Sequence, residues 1–127
     1  MDKPLKIISE IKTPRLTARA ATTAMTDWLF HAIDISRNRL REFLFWVDNV
    51  QKVEDERKTL SDFAEGWEKG EIFAYVLYNT DEKIVGTIDV HNISYGNHFA
   101  ELGYWLKDGE TGKGYISEIL PYVEKIF

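Results

Sequence analysis

A chain of 127 residues with 44% hydrophobic and 29% charged side chains is long enough to bury one core, and 1–127 reads as a single globular domain. The absence of cysteine excludes disulfides, thiolate metal sites and a cysteine nucleophile. A formal charge of −5 argues against direct nucleic-acid binding through a basic surface and suits a cationic or amine substrate, although a mildly acidic balance also simply serves solubility.

No apolar run has membrane-spanning length, and the opening MDKPLKIISE lacks the apolar region of a signal peptide, so the expectation is a cytoplasmic protein without membrane contact. Residues 6–11 and 15–20 are short extended candidates around Pro14, with the first strand expected after that proline. Thr22 and Thr23 offer N-caps to an amphipathic helix whose apolar positions are Met25, Trp28, Leu29, Ala32 and Ile33. A second helical piece over 36–45 carries Arg37, Arg39 and Arg41, expected as a solvated face, and runs into the aromatic cluster Phe43, Phe45 and Trp46. That cluster is either core or a pocket wall. A third helix over 53–68 has Val53, Leu60, Phe63, Ala64 and Trp67 on one face, acidic residues in its first turn and Gly70 after its end.

Residues 72–78, 83–92 and 99–106 then read as three consecutive antiparallel strands joined by polar turns. Strand, helices, three-strand meander, loop and helix together give an α/β (α+β) fold, a mixed and mostly antiparallel sheet flanked by helices. Gly109, Gly112 and Gly114 match neither the dinucleotide-binding G-x-G-x-x-G pattern nor a P-loop.

The stretch 99–127 carries the chemistry. It places one carboxylate, Glu101, among Phe99, Leu102, Tyr104 and Trp105 on a strand, then a glycine-bearing loop, then a helix start, an order that offers bare backbone N–H groups to a phosphate-bearing ligand. An apolar setting would suit Glu101 to accept a proton, while spacing alone fits a solvent-facing strand glutamate equally simply. His31, His91 and His98 lack metal-ligand spacing, so no metal is expected and each reads as a surface or hydrogen-bonded histidine. Asn97 could hold an acceptor or merely serve its turn beside Gly96.

The ordered set of segments Thr13-Pro-Arg-Leu-Thr-Ala-Arg19, Phe45-Trp-Val-Asp48, Ile84-Val-Gly-Thr-Ile88, Ala100-Glu-Leu-Gly-Tyr-Trp-Leu106 and Thr111-Gly-Lys-Gly-Tyr-Ile116 resembles the GCN5-related N-acetyltransferase (GNAT) family, in its branch of ribosomal-protein N-terminal acetyltransferases. The resemblance implies acetyl transfer from acetyl-CoA to an amine, a protein N-terminus such as that of a ribosomal protein. It implies Glu101 as base and main-chain pairing of Tyr104, Trp105 and Leu106 with the pantetheine arm. It further implies a pyrophosphate cradle from the backbone of Thr111, Gly112, Lys113, Gly114, Tyr115, Ile116 and Ser117, and an acceptor groove near Trp46. Thr111 stands where the family has Gln or Arg, Ile116 replaces a small residue, and Pro121 falls inside the helix, where a bend or fraying is expected. Family members continue with a further strand, helix and strands that supply the leaving-group acid, so the chain is expected to be the N-terminal portion of such a domain, nearly inactive by itself. The alternatives are a non-catalytic fragment that binds a partner chain or dimerises through its exposed sheet edge, and an acetyltransferase for a small-molecule amine.

Overall fold

The computed structural model describes residues 7–127. Among them five strands form one antiparallel sheet in chain order, β1 (Glu10–Lys12), β2 (Thr17–Ala20), β3 (Phe73–Tyr78), β4 (Ile84–Ser94) and β5 (Phe99–Leu106). Lys6, in the first expected strand, lies outside the described residues. A strand precedes Pro14 as well as following it, and Ile11 pairs with Ala18 across the resulting hairpin.

Among the described residues four α-helices accompany the sheet: α1 (Thr26–Ile35), α2 (Arg37–Leu40), α3 (Val53–Lys69) and α4 (Tyr115–Ile126). In β3 every residue but the last is buried, because its alternating side chains feed two cores. Phe73, Tyr75 and Leu77 meet Ile119 and Val123 of α4, whereas Ala74 and Val76 meet Leu29 and Ile33 of α1 and Leu60 of α3. Ile119 and Val123 are fully enclosed, each worth about 1.5–3 kcal/mol. The α3 helix begins where Asp55 accepts the N–H groups of Gln51 and Lys52 at 2.9 and 3.1 Å and ends at Gly70 in the left-handed conformation, as its acidic first turn and terminal glycine predict.

Several local expectations change. Thr22 and Thr23 make no side-chain cap to α1, and the Thr26 hydroxyl instead donates to Thr23 O at 2.6 Å. Trp28 is 72% exposed, although it shares the helical spacing of Leu29 and Ala32, because the sheet covers a narrower stripe of α1 than periodicity alone implies. The second helical piece is a single turn followed by a 3-10 turn at Phe45–Asn49, and Phe43 and Phe45 are exposed rather than core. The three arginines are not a free solvated face. Arg37 donates to Val47 O, Arg39 pairs with Asp108 and Arg41 pairs with Asp48. The α4 helix is continuous through Pro121, so the expected fraying is absent.

Candidate active site

Glu101 lies on β5 opposite His91, Gly103 opposite Asp89, and Trp105 opposite Thr87. The period of two therefore sets these side chains on the face that carries α1 and α3. Beyond His91 the register slips, so that Asn92 and Ile93 of β4 stand against Ala100, and Asn92 takes a φ of 49°. This bulge turns the Asn92 amide onto the carboxylate, where Nδ2 donates to Glu101 Oε2 at 2.7 Å. The Glu101 side chain remains 51% exposed, so the apolar enclosure expected from its aromatic neighbours is absent: Leu102 and Tyr104 project from the opposite face of the strand.

The sequence did not single out the neighbouring pair. His91 Nδ1 lies 2.5 Å from Asp89 Oδ1, and against an ionised carboxylate that contact requires the proton on Nδ1. Nε2 then faces Glu101 Oε2 at 3.5 Å. Burial raises the Asp89 carboxyl above its ordinary value, with the His91 hydrogen bond pulling the other way. Gly103 makes the room, because a Cβ there would lie 3.1 Å from the Asp89 carboxylate and 3.4 Å from the His91 ring. The available signal was the Asp-x-His spacing on a strand, which puts both groups on one face. His31 and His98 are exposed, and among the described residues no three His, Cys, Asp or Glu side chains cluster as metal ligands.

Asp89, His91, Gly103 and Trp105 line a cavity of about 430 Å³ between the sheet and α1 and α3. Trp46 also lines it, its ring 6.4 Å from that of Trp105. Asn97 sits exposed in the β4–β5 turn and does not line this cavity.

The outer edge of β5 is unpaired among the described strands. Lys107 N–H donates to Val85 O at 2.8 Å, so alternation turns the amide and carbonyl of Tyr104 and Leu106 outward and those of Trp105 towards β4. Leu106 O is taken by the Arg39 guanidinium, which also holds Asp108 at 2.6 Å. The strand end is thereby fixed before the loop begins. Gly109, Gly112 and Gly114 all have positive φ, and nothing lies within 4 Å of where a Cβ on Gly112 would sit. Gly114, at 78°, is the N-cap of α4 and supplies no side-chain acceptor, so the first-turn N–H groups, those of Tyr115, Ile116 and Ser117, point out at the positive end of the helix dipole. Lys113 pairs with Glu110 at 3.0 Å, which offsets part of its charge. Thr111 and Ser117 are exposed, while Tyr115 is buried and Ile116 packs against the core. The branched Ile116 is thus accommodated on the sheet side of the helix.

Glu118 anchors this helix start. It accepts from Thr13 Oγ1 at 2.5 Å, from Arg15 N at 2.8 Å and from Arg15 Nε at 2.6 Å. Burial raises its carboxyl, but the hydrogen bonds from Thr13 and Arg15 prevail and hold it below the usual glutamate value.

Known proteins share this fold. The chain is 33% identical over 92 residues to the ribosomal-protein-serine acetyltransferase of Escherichia coli K12, a match covering 72% of this chain and 51% of that protein. The chain thus spans about half the length of this curated relative. A ribosomal L7/L12 alpha-N-protein acetyltransferase, RimL, solved in complex with coenzyme A, superposes with a TM-score of 0.87 at 23% identity over 91% of this chain and 66% of that one. The microcin C7 self-immunity acetyltransferase MccE, solved with acetyl-CoA and AMP, gives 0.82 at 20% identity over 92% and 68%. Residues 15–126 match the acetyltransferase (GNAT) domain model, and with that match running from β2 through the loop and α4, the chain belongs to the GNAT acetyltransferase family.

Proposed function

We propose that residues 1–127 form the acetyl-CoA-binding portion of a cytoplasmic N-acetyltransferase whose acceptor is a protein N-terminus such as that of a ribosomal protein. The observation that carries this reading is the succession of an unpaired strand edge at Tyr104 and Leu106, a loop of positive-φ glycines and an uncapped helix start at Gly114. Strand edge, loop and helix N-terminus suit, in that order, an amide-bearing arm and a pyrophosphate. The activity named for the Escherichia coli relative and the coenzyme A bound by RimL support it.

Acetyl-CoA supplies a thioester-activated acetyl group. The outward amides of Tyr104 and Leu106 and the Tyr104 carbonyl hold the arm beside β5, and the backbone of 111–117 takes the pyrophosphate. Trp46 and Trp105 wall the acceptor cavity. Glu101 takes a proton from the attacking amine nitrogen, which must be neutral to react, and Asp89 keeps the proton of His91 on Nδ1 so that Nε2 stays open towards Glu101.

Calorimetric titration with acetyl-CoA, and acetylation of an N-terminal peptide by the full-length protein, test the reading. Glu101→Gln is expected to lower kcat about 10²-fold or more, and an unchanged rate removes Glu101 from the role. His91→Asn should shift the pH profile and cost less. A larger loss there than in Glu101→Gln makes His91 the base.

A second reading, a unit that docks a partner chain or a second copy through β5, is favoured by the exposed Phe99, Leu102 and Tyr104 on that strand. A dimer that ignores acetyl-CoA in size-exclusion and calorimetry would support it.

A further inference from the structure

Glu56 is 4% exposed and lines the cavity described above, yet among the described residues it has neither a hydrogen bond nor an ion pair; no fully buried side-chain oxygen among them lacks a partner, so its unpaired carboxyl keeps a little accessible surface. Helical spacing puts it there, since Glu56, Thr59, Leu60 and Phe63 share the face of α3 turned to the sheet. A buried carboxyl is normally paired, so an unpaired one lining a cavity marks a place where something else supplies the donor.

The surrounding charges say what that donor is. On α3, Asp55 is committed to the N–H groups of Gln51 and Lys52. On β4, Asp89 is committed to His91. The walls from α1, the 3-10 turn, β3 and β5 contribute no charged side chain, and no Lys or Arg lines the cavity. The site is an apolar chamber with a net acidic floor.

We propose that this cavity selects an acceptor that is an organic cation, with Glu56 holding a protonated nitrogen other than the one acetylated and the acceptor's apolar body lying between α1, α3 and the sheet. The two nitrogens must differ, because a reacting amine is neutral whereas a carboxylate selects positive charge. Glu56 is therefore a specificity-determining residue, placed apart from Glu101, which does not line the cavity. The word acceptor rests on the acetyl-transfer reading; the binding itself does not.

Burial raises the Glu56 carboxyl to about 7. Cation binding favours the ionised form, so it should release up to one proton below about pH 7, and affinity should rise with pH through that value and then level off.

The test uses the chain without acetyl-CoA, titrated by NMR with 2-phenylethylammonium and its neutral counterpart 2-phenylethanol. At pH 8 the ammonium should bind about tenfold more tightly, with that preference shrinking by pH 6. Glu56→Gln should remove the preference and leave the alcohol within about twofold. Calorimetry of the unmutated chain at pH 6, in buffers of different ionisation enthalpy, should show proton release and gives the answer even if the variant fails to fold. Glu56→Gln retains Asp89 and His91, so protons released by those two survive the substitution. Equal affinity for the two probes, or a preference that Glu56→Gln leaves intact, overturns the proposal. Cation selectivity here, together with no acetylation of the N-terminal peptide by the full-length protein, would sink the acetyl-transfer reading and leave the cation site standing.

Discussion

Two glutamates show how differently the fold treats one side chain. Glu56 is buried without a partner and its carboxyl is raised from 4.5 to about 7. The unfolded chain therefore ionises it at a lower pH than the folded protein does. This contribution to stability is fullest below pH 4.5, declines as pH rises to about 7 and is flat above. The loss amounts to about 3 kcal/mol at 1.36 kcal/mol per pH unit. Glu56→Gln should accordingly stabilise the protein at pH 8 and change little near pH 4, as read by urea denaturation at the two values. Glu118 behaves oppositely, since its lowered carboxyl contributes stability above the unfolded glutamate value that is lost as pH falls through the folded one. Glu118→Ala removes three hydrogen bonds between α4 and the 13–16 turn and should cost about 2 kcal/mol, of which Glu118→Gln should recover part. Residue types alone could not separate these cases, because each glutamate sits near the start of a helix and reads as a favourable first-turn charge.

At the scale of elements, strands were the most legible part. β5 has the bounds expected from its pattern, and β3 was recognisable as a strand covered on both faces, because period-two alternation is a local property. Helix faces were read less well. Trp28, Phe43 and Phe45 are apolar yet exposed, since how wide a stripe is covered depends on what packs there. α4 carries its own test. Pro121 leaves Ser117 O without its helical donor, yet the helix runs on to Ile126 because Ile119 and Val123 are pinned in the core. Pro121→Ala should therefore raise stability by about 1–3 kcal/mol, measurable as an upward shift in Tm. An unchanged or lowered Tm would mean that the proline fits the backbone there without strain.

For the whole molecule, β5 pairs with β4 and α4 packs on a core drawn from β1 to β4, so acetyl-CoA held at the proposed site on β5 and the α4 start should stabilise the entire fold. Acetyl-CoA at 100 times its Kd should add about 2.7 kcal/mol and raise Tm in a concentration-dependent way, as followed by differential scanning fluorimetry. No shift at millimolar acetyl-CoA would count against the cradle at 111–117. The sequence by itself determined the meander, the glycine loop and helix that follow it, and the family, because hydrophobic period, turn chemistry and the ordered motifs are written in neighbouring residues. Only the tertiary structure decided that Asp89 orients His91 beside Glu101, that Arg39 already occupies Leu106 O, and that Glu56 lines a cavity unpaired. Each of these depends on which side chains from separate elements share one face, and on how much water is left between them.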